Sequence, residues 1–402
     1  MLAAATTWIG FRPFEAVPRT GTGGDLANQI GFLLLGLVGI WLLASAKPKV
    51  RRALGSPLYL LVVAILFWSA SISDGAGSAL RAALFSLFVM IVAAGVVATP
   101  RTRAEFTGTL GWAAFVALSF SYVAVFLFPE SGTHDGSGFE PQHAGLWRGV
   151  YSHKNVASYV AGMFALIGAY IATRGRPALG GVVLVLATAM VILAGSKTVL
   201  IVLPVAFATA WVAARTSPAA RAVAVVLPVS VMVAATLGLA LTQVGQDLRL
   251  AVAPDLTFTG RIDLWVFTAE RIAENWWTGT GFESYWGTPQ VTQMEQPIEL
   301  SWDVRGIVHA HNSYLDAVLA FGMPAGTVIV FALIVVPVRD FARIPRGPAL
   351  DAAQLWISLW LLAALGACLE SFFLRRADPV WFAMAMSVVG LRLCSRLGRE
   401  VQ

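Results

Sequence analysis

Charge is scarce in this sequence: 12% of its 402 residues are Asp, Glu, Lys or Arg, and 57% are hydrophobic. Soluble domains run at about 25% charged and about 45–50% apolar. A water-soluble monomer cannot hide this much apolar surface. The same composition excludes disorder, a collagen-like repeat and a coiled coil. Cysteine is nearly missing. Cys368 and Cys394 both lie in apolar runs and offer neither a disulfide framework nor a zinc spacing. No Gly-x-x-x-x-Gly-Lys-Ser/Thr occurs, which excludes a nucleotide-hydrolysing engine of that kind. No Asp-x-Asp occurs either, which argues against a metal-bound nucleotide-sugar donor. Acids are almost absent from the apolar runs. Asp316 and Glu370 stand near the ends of theirs, which weakens a proton-coupled transporter.

What remains is apolar and helical. Runs of helix length cover residues 30–46, 57–73, 78–98, 106–128, 155–173, 179–195, 198–214, 220–243, 313–337, 353–373 and 378–394. A membrane span takes ~20 residues. Backbone facing lipid must satisfy its own hydrogen bonds, so these runs are helices. Barrel strands would alternate over ~10 residues, and these do not. The expected fold is all-α: one polytopic membrane domain over residues 1–402, with about eleven (10–12) transmembrane helices. The first 28 residues lack a basic start and apolar core, so no cleaved signal peptide is expected.

The net charge of +6 is better explained by topology than by nucleic acid, which is not an expected partner. One alternate set of short loops holds Lys47, Lys49, Arg51, Arg52, Arg101, Arg103, Arg174, Arg176, Arg215, Arg221, Arg339, Arg343, Arg346, Arg392, Arg396 and Arg399. The positive-inside rule puts this set in the cytoplasm. Two long loops, 129–154 and 244–312, then lie outside. The second carries four arginines against nine acids, and six Trp or Tyr residues. It is too long to be a mere connector. Within it, Ile262, Val266, Ala269, Ile272 and Trp276 recur at helical spacing. That pattern predicts an amphipathic helix over about 260–277, lying on the bilayer interface or within a small cap.

Four segments could carry chemistry. The densest is His309-Ala310-His311-Asn312-Ser313, where the long loop enters a span. Asn312 or Ser313 suits an N-cap. A helix start favours a phosphate, and an imidazole there can bind an anion or move a proton. A zinc reading of His-x-His lacks further ligands spaced alongside. The second is Asp255 to Trp265, where Arg261 follows a glycine and can fork onto a phosphate or pair with a nearby acid. The third is Tyr151-Ser152-His153-Lys154-Asn155, and the fourth Gly195-Ser196-Lys197-Thr198. Lys154, Lys197, Arg81, Arg375 and Arg376 all fall on the side the positive-inside rule disfavours. Each alone can be an interfacial anchor; together they suggest convergence on an anion.

The His311-Asn312-x-Tyr-Leu segment, followed by Phe321-Gly322-Met323-Pro324, resembles the His-Asn…Gly signature of the O-antigen ligase and polymerase superfamily. Thr259-Gly260-Arg261…Leu264-Trp265 with Gly279-Thr280-Gly281-Phe282 is similar to its large periplasmic loop. Ser152 to Asn155 and Ser196 to Thr198 are similar to further motifs, most of all in ExoQ-type exopolysaccharide polymerases. The family's Gly-x-x-Gly is one residue longer here, ending at Gly326, or Ala325 stands in place of its last glycine. Trp265 replaces the ligase's leucine, which favours a polymerase.

The resemblance implies a GT-C-like membrane glycosyltransferase of the bacterial inner membrane, inverting and metal-independent, with no cofactor. Its donor would be an undecaprenyl-pyrophosphate-linked oligosaccharide and its acceptor a growing glycan. A flippase and a chain-length regulator would be its partners. A ligase acting on a lipid A core, or a non-catalytic transporter of lipid-linked sugars, are the alternatives. Carried onto this chain, the resemblance puts His311, Arg261 and His309 in catalysis. Arg81, His153, Lys154, Asn155, Lys197, Asn312 and Arg375 would bind substrate.

Overall fold

A computed structural model describes residues 1–11, 13–14, 26–136, 141–253, 256–258, 260–295, 303–376 and 378–398. Asp255, Thr259 and Arg399 of the sequence reading lie outside the described residues. Among the described residues there is no β-strand, only one isolated bridge between Thr133 and Trp147.

Every apolar run became a helix. Among the described residues, nine helices are long and apolar enough to cross a membrane: Leu26–Ser45, Ala76–Ala98, Arg103–Leu127, Lys154–Ala172, Pro177–Ala194, Pro218–Leu241, Ser313–Ala342, Pro348–Gly366 and Pro379–Leu397. Pro48–Leu54 and Pro57–Ser71 form a further pair bent by 62°, and Lys197–Ala213 is shorter. The chain is an all-α polytopic membrane protein.

Burial sorts these helices. Pro348–Gly366, Pro379–Leu397 and Lys154–Ala172 form the centre, whereas Leu26–Ser45 and Pro218–Leu241 lie at the rim, mostly exposed to lipid. Lipid is as apolar as leucine, so helices associate here through close packing. Gly168 and Gly180 let Lys154–Ala172 and Pro177–Ala194 touch backbone to backbone; a Cβ at Gly180 would stand 2.4 Å from the Ala172 nitrogen. The N-terminal helix Leu2–Ile9 does not cross but plugs the bundle. Its Trp8 is buried edge-on against Phe164 and Phe382.

The arginine-rich segments meet at one end. Arg174 pairs with Asp351 at 3.0 Å, Arg176 donates to the Ala104 carbonyl, Arg221 to Ile344, and Arg392 to Ala53 and Gly55. Arg221 and Arg392 thereby cap carbonyls at or just past the C-terminal ends of helices, where the dipole favours cations. Both long loops pack at the opposite end.

The second loop contains the expected helix, as Arg261–Glu274. Its apolar face differs from the interfacial reading. Ile262, Trp265, Phe267 and Ile272 are buried in a satellite core with Tyr285, Val291, Val304, Leu315 and Leu319. Protein covers that face because the rest of the loop folds back over it. Trp276 and Trp277, just past the helix, are exposed.

The same loop dips into the bundle at Gly322. This residue has φ 76° inside Ser313–Ala342, which breaks the helix. The freed Met323 N–H donates to the Trp276 carbonyl at 2.8 Å. In return the Leu319 and Ala320 carbonyls accept from the Thr280 and Gly281 N–H groups. A broken span is tolerated where protein restores the lost hydrogen bonds.

Candidate active site

Arg261 is the first residue of its helix, after Gly260 in a left-handed turn at φ 80°. The Trp265 indole, one turn on, donates to the Ala310 carbonyl at 3.1 Å. That bond ties the Arg261 helix to the His309–His311 segment. The Asp316 carboxylate accepts the Ala310 N–H and, at 2.8 Å, the Trp286 indole N–H. Between these anchors His311 sits at φ 50°, an uncommon left-handed conformation for a non-glycine residue.

Asn312 is wholly buried. Its Oδ1 accepts from the Tyr314 and Leu315 N–H groups, and its Nδ2 donates to the Cys368 carbonyl at 2.9 Å. Ser313 N donates to the Ala367 and Glu370 carbonyls, and Ser313 Oγ also donates to Glu370. The Asn-Ser pair therefore clamps the loop 367–372 against the helix start. The N–H groups on which a phosphate would rest are already engaged by Asn312 and by carbonyls. The helix start at His311 thus anchors the loop 367–372, with the Asn312 side chain bonded to protein partners.

The clamped loop delivers Glu370, and three groups converge on its carboxylate. Arg261 Nη2 lies 2.9 Å from Oε1, Asn155 Nδ2 donates to the same oxygen at 2.7 Å, and His311 Nδ1 lies 3.1 Å from Oε2. Arg261 Nη2 is also 3.4 Å from His311 Nδ1. The side chains of Arg261 and Glu370 are 18% and 14% exposed, so the pair is shielded without being sealed. Burial pushes Glu370 upward, but Arg261 and then His311 outweigh it and hold the carboxyl well below its usual range. Glu370 is therefore an anion at neutral pH.

His309 packs edge-on against His311, ring centres 4.1 Å apart, and its Nδ1 accepts the His311 N–H. Burial, then the nearby His311 and Arg375, lowers its pKa well below that of an ordinary histidine. It is neutral at pH 7, with its proton on Nε2. His311 is oriented the other way. An ionised Glu370 takes the proton of Nδ1, which leaves the lone pair on Nε2. Of the two imidazoles, His311 is the one whose lone pair this arrangement leaves on Nε2.

His309, His311 and Glu370 also offer three ligand atoms within 4.8 Å of one another. Yet Arg261 stands on both Glu370 and His311, and Asn155 already donates to the carboxylate. A guanidinium among the donor atoms opposes a metal cation, so the set fits an ion-paired network better than a metal centre.

The remaining candidates divide. Asn155 joins the cluster directly. Its neighbour His153 caps helix Lys154–Ala172, with Nδ1 accepting the Asn155 N–H, and sits among the rings of His134 and His143 at 5.0 and 5.5 Å. Lys154 is buried, and its backbone N–H donates to His134. Arg375 lines a cleft of about 100 Å³ together with His309, Trp286 and Asp316. Arg81 and Lys197 are exposed at their helix starts; among the described residues neither bonds to the cluster. Local spacing in the sequence marks Glu370 only as a helix-end acid. Its signal was a carboxylate at the border of an apolar run, where charge is costly.

Fold and site together define a multi-pass membrane protein with a carboxylate–imidazole–guanidinium cluster held between an extramembrane loop and the helix ends. Residues 182–330 match the family described as O-antigen ligase, so that this part of the chain is similar to the O-antigen ligase and polymerase superfamily. The matched segment holds Arg261, His309 and His311; Asn155 and Glu370 lie outside it. No curated protein matches the chain.

Proposed function

We propose that this chain is a polysaccharide polymerase. It joins undecaprenyl-pyrophosphate-linked oligosaccharide repeats at the periplasmic face of the bacterial inner membrane. The observation that carries the reading is the convergence of His311, Arg261 and Asn155 on Glu370. An acceptor hydroxyl loses its proton to His311 Nε2 as its oxygen bonds to the anomeric carbon of the donor. The bond from that carbon to the pyrophosphate oxygen breaks, and lipid pyrophosphate leaves with the electron pair. Glu370 stabilises the imidazolium that forms, and Asn155 steadies Glu370. Arg261 engages Glu370 through Nη2, and a guanidinium has further N–H groups with which to meet a phosphate. Positive charge placed in advance stabilises the leaving anion. Arg375 and Lys154 add to it, while Arg81 and Lys197 serve at the approach. The phosphoanhydride-activated donor needs no nucleotide and no metal. The partners are the lipid-linked donor, the growing glycan, a flippase and a chain-length regulator.

The matched family's description favours a second reading, a ligase that transfers the glycan to a lipid A core or another acceptor. Purified protein given lipid-linked repeats alone separates the two. A ladder of lengthening products supports the polymerase; transfer only when an outside acceptor is added supports the ligase. Arg261→Lys keeps the charge but loses the planar fork, so turnover should fall tenfold or more, ~1.4 kcal/mol per tenfold. Unchanged turnover in Arg261→Ala would remove Arg261 from the mechanism, and a rate abolished by EDTA and restored by magnesium would overturn its metal-free form.

A further inference from the structure

At the arginine-rich end, far from the cluster, helices Pro218–Leu241 and Ser313–Ala342 part to leave a cavity of about 630 Å³. One wall is a single helical face: Pro218, Ala222, Val226 and Val229. The facing wall is another, with Val338 and Ala342 one turn apart. Small side chains at the outer part of both walls leave the space unfilled. At the deep end both helices depart from α geometry, with π turns at Ala234–Gly238 and Phe331–Val335. Val226 and Val335 on the walls are 45% and 48% exposed, so the cavity is a groove open to lipid.

Two dimensions point to the occupant. From Pro218 to Ser230 a helix rises ~18 Å, a little more than half of a ~30 Å hydrocarbon core. The groove therefore reaches through one leaflet, the length of one acyl chain. Its mouth is cationic. Arg339 and Arg343 line it and are exposed, and Arg346 stands beside them. The segments around the mouth, 214–221 and 336–347, contain one acid, Asp340, and that residue is buried. Arg221 is buried as well, donating to the Ile344 carbonyl, and so holds the Arg339–Arg346 turn in place. Arg339 also reaches the buried Asp340 at 3.5 Å, whereas both guanidiniums remain exposed at the mouth; a chain-length apolar slot under two such arginines matches one amphiphile, a long tail with an anionic head at the interface. Basic pockets between helices on the cytoplasmic side recognise anionic lipid headgroups by this means.

We infer that this groove is a binding site for an anionic glycerophospholipid of the leaflet at the arginine-rich end, one acyl chain between the two helices and its phosphate on Arg339 and Arg343. The site is separate from the glycan chemistry and does not rest on it.

The test uses the intact protein in detergent, titrated with phosphatidylglycerol or phosphatidylethanolamine of the same chains and read by native mass spectrometry. The wild type should retain phosphatidylglycerol at least tenfold more tightly. Arg339→Gln with Arg343→Gln should abolish that preference, with some loss of thermal stability because Asp340 loses its ion-pair partner; Arg343→Gln alone should weaken the preference while thermal stability stays near wild type. Ala222→Phe, which leaves the charges and fills the slot, should displace both lipids; it also covers the case in which the double variant folds poorly. Equal retention of the two lipids by the wild type would overturn the proposal, as would a preference that survives both the double variant and Ala222→Phe. Displacement of phosphatidylglycerol by an equal amount of a polyprenyl phosphate, with no reverse displacement, would also overturn it by assigning the groove to a different lipid.

Discussion

Replacing Glu370 by glutamine changes one oxygen for an amide and tests the cluster directly. The carboxylate accepts from Arg261 and Asn155 on Oε1 and from His311 on Oε2. Two donors already meet at Oε1, so the glutamine carbonyl takes that place. Its NH2 then faces His311 Nδ1, which must become an acceptor. The imidazole proton moves to Nε2, and the base presents a proton where it needs a lone pair. An orienting carboxylate changed in this way costs about 10²–10⁴ in turnover. The ion pair with Arg261 is lost as well. Breaking a fully buried pair costs about 3–5 kcal/mol. With both side chains partly exposed, about 1–3 kcal/mol of stability is the discounted expectation. The sign with pH follows from the lowered pKa of Glu370. A carboxyl depressed on folding stabilises above its unfolded value, ~4.3, and loses that contribution as pH falls toward the folded one. The gap in stability between wild type and Glu370→Gln should therefore be full at pH 7 and shrink in strong acid. Turnover of lipid-linked glycan and thermal melts across pH provide both readings. A folded Glu370→Gln protein with turnover within twofold of wild type would refute the tautomer argument.

His309, whose pKa is lowered on folding, should make the protein lose stability as pH falls below ~6.5, since the unfolded chain binds the proton first; melts of His309→Asn should show a flatter acid slope. Gly322→Ala puts a Cβ 2.5 Å from the Trp277 carbonyl at a left-handed φ, so the loop should undock at a cost of about 1–3 kcal/mol, visible as a lower melting temperature and faster proteolysis near Trp276. Both native cysteines are buried, so Gln293→Cys gives a clean topology probe; it should react with an impermeant thiol reagent in intact spheroplasts, and labelling only after lysis would reverse the orientation.

Hydrophobic period and charge distribution are local properties, and by themselves they determined a good deal of this protein. They placed each apolar helix and grouped the arginines that meet at one end. They put a helix at Arg261 and a cap at Asn312, because a run, a face or a turn needs only neighbours along the chain. The segment His309–Asn312 was legible as a site for the same reason. What gathers there was not. Glu370 is 59 residues from His311, 109 from Arg261 and 215 from Asn155, and no periodicity connects them. Packing decides whether such groups meet, and it brought in Asn155 and Glu370 while leaving Arg81 and Lys197 outside. The tertiary structure likewise tied the helix start to the Glu370 loop, whose carbonyls and Ser371 hydroxyl accept the Ser313 and Asn312 N–H groups. It turned the Arg261 helix inward, because a satellite core covered its apolar face. It also broke the helix at Gly322, because the loop at Trp276 supplied the bonds the break removed.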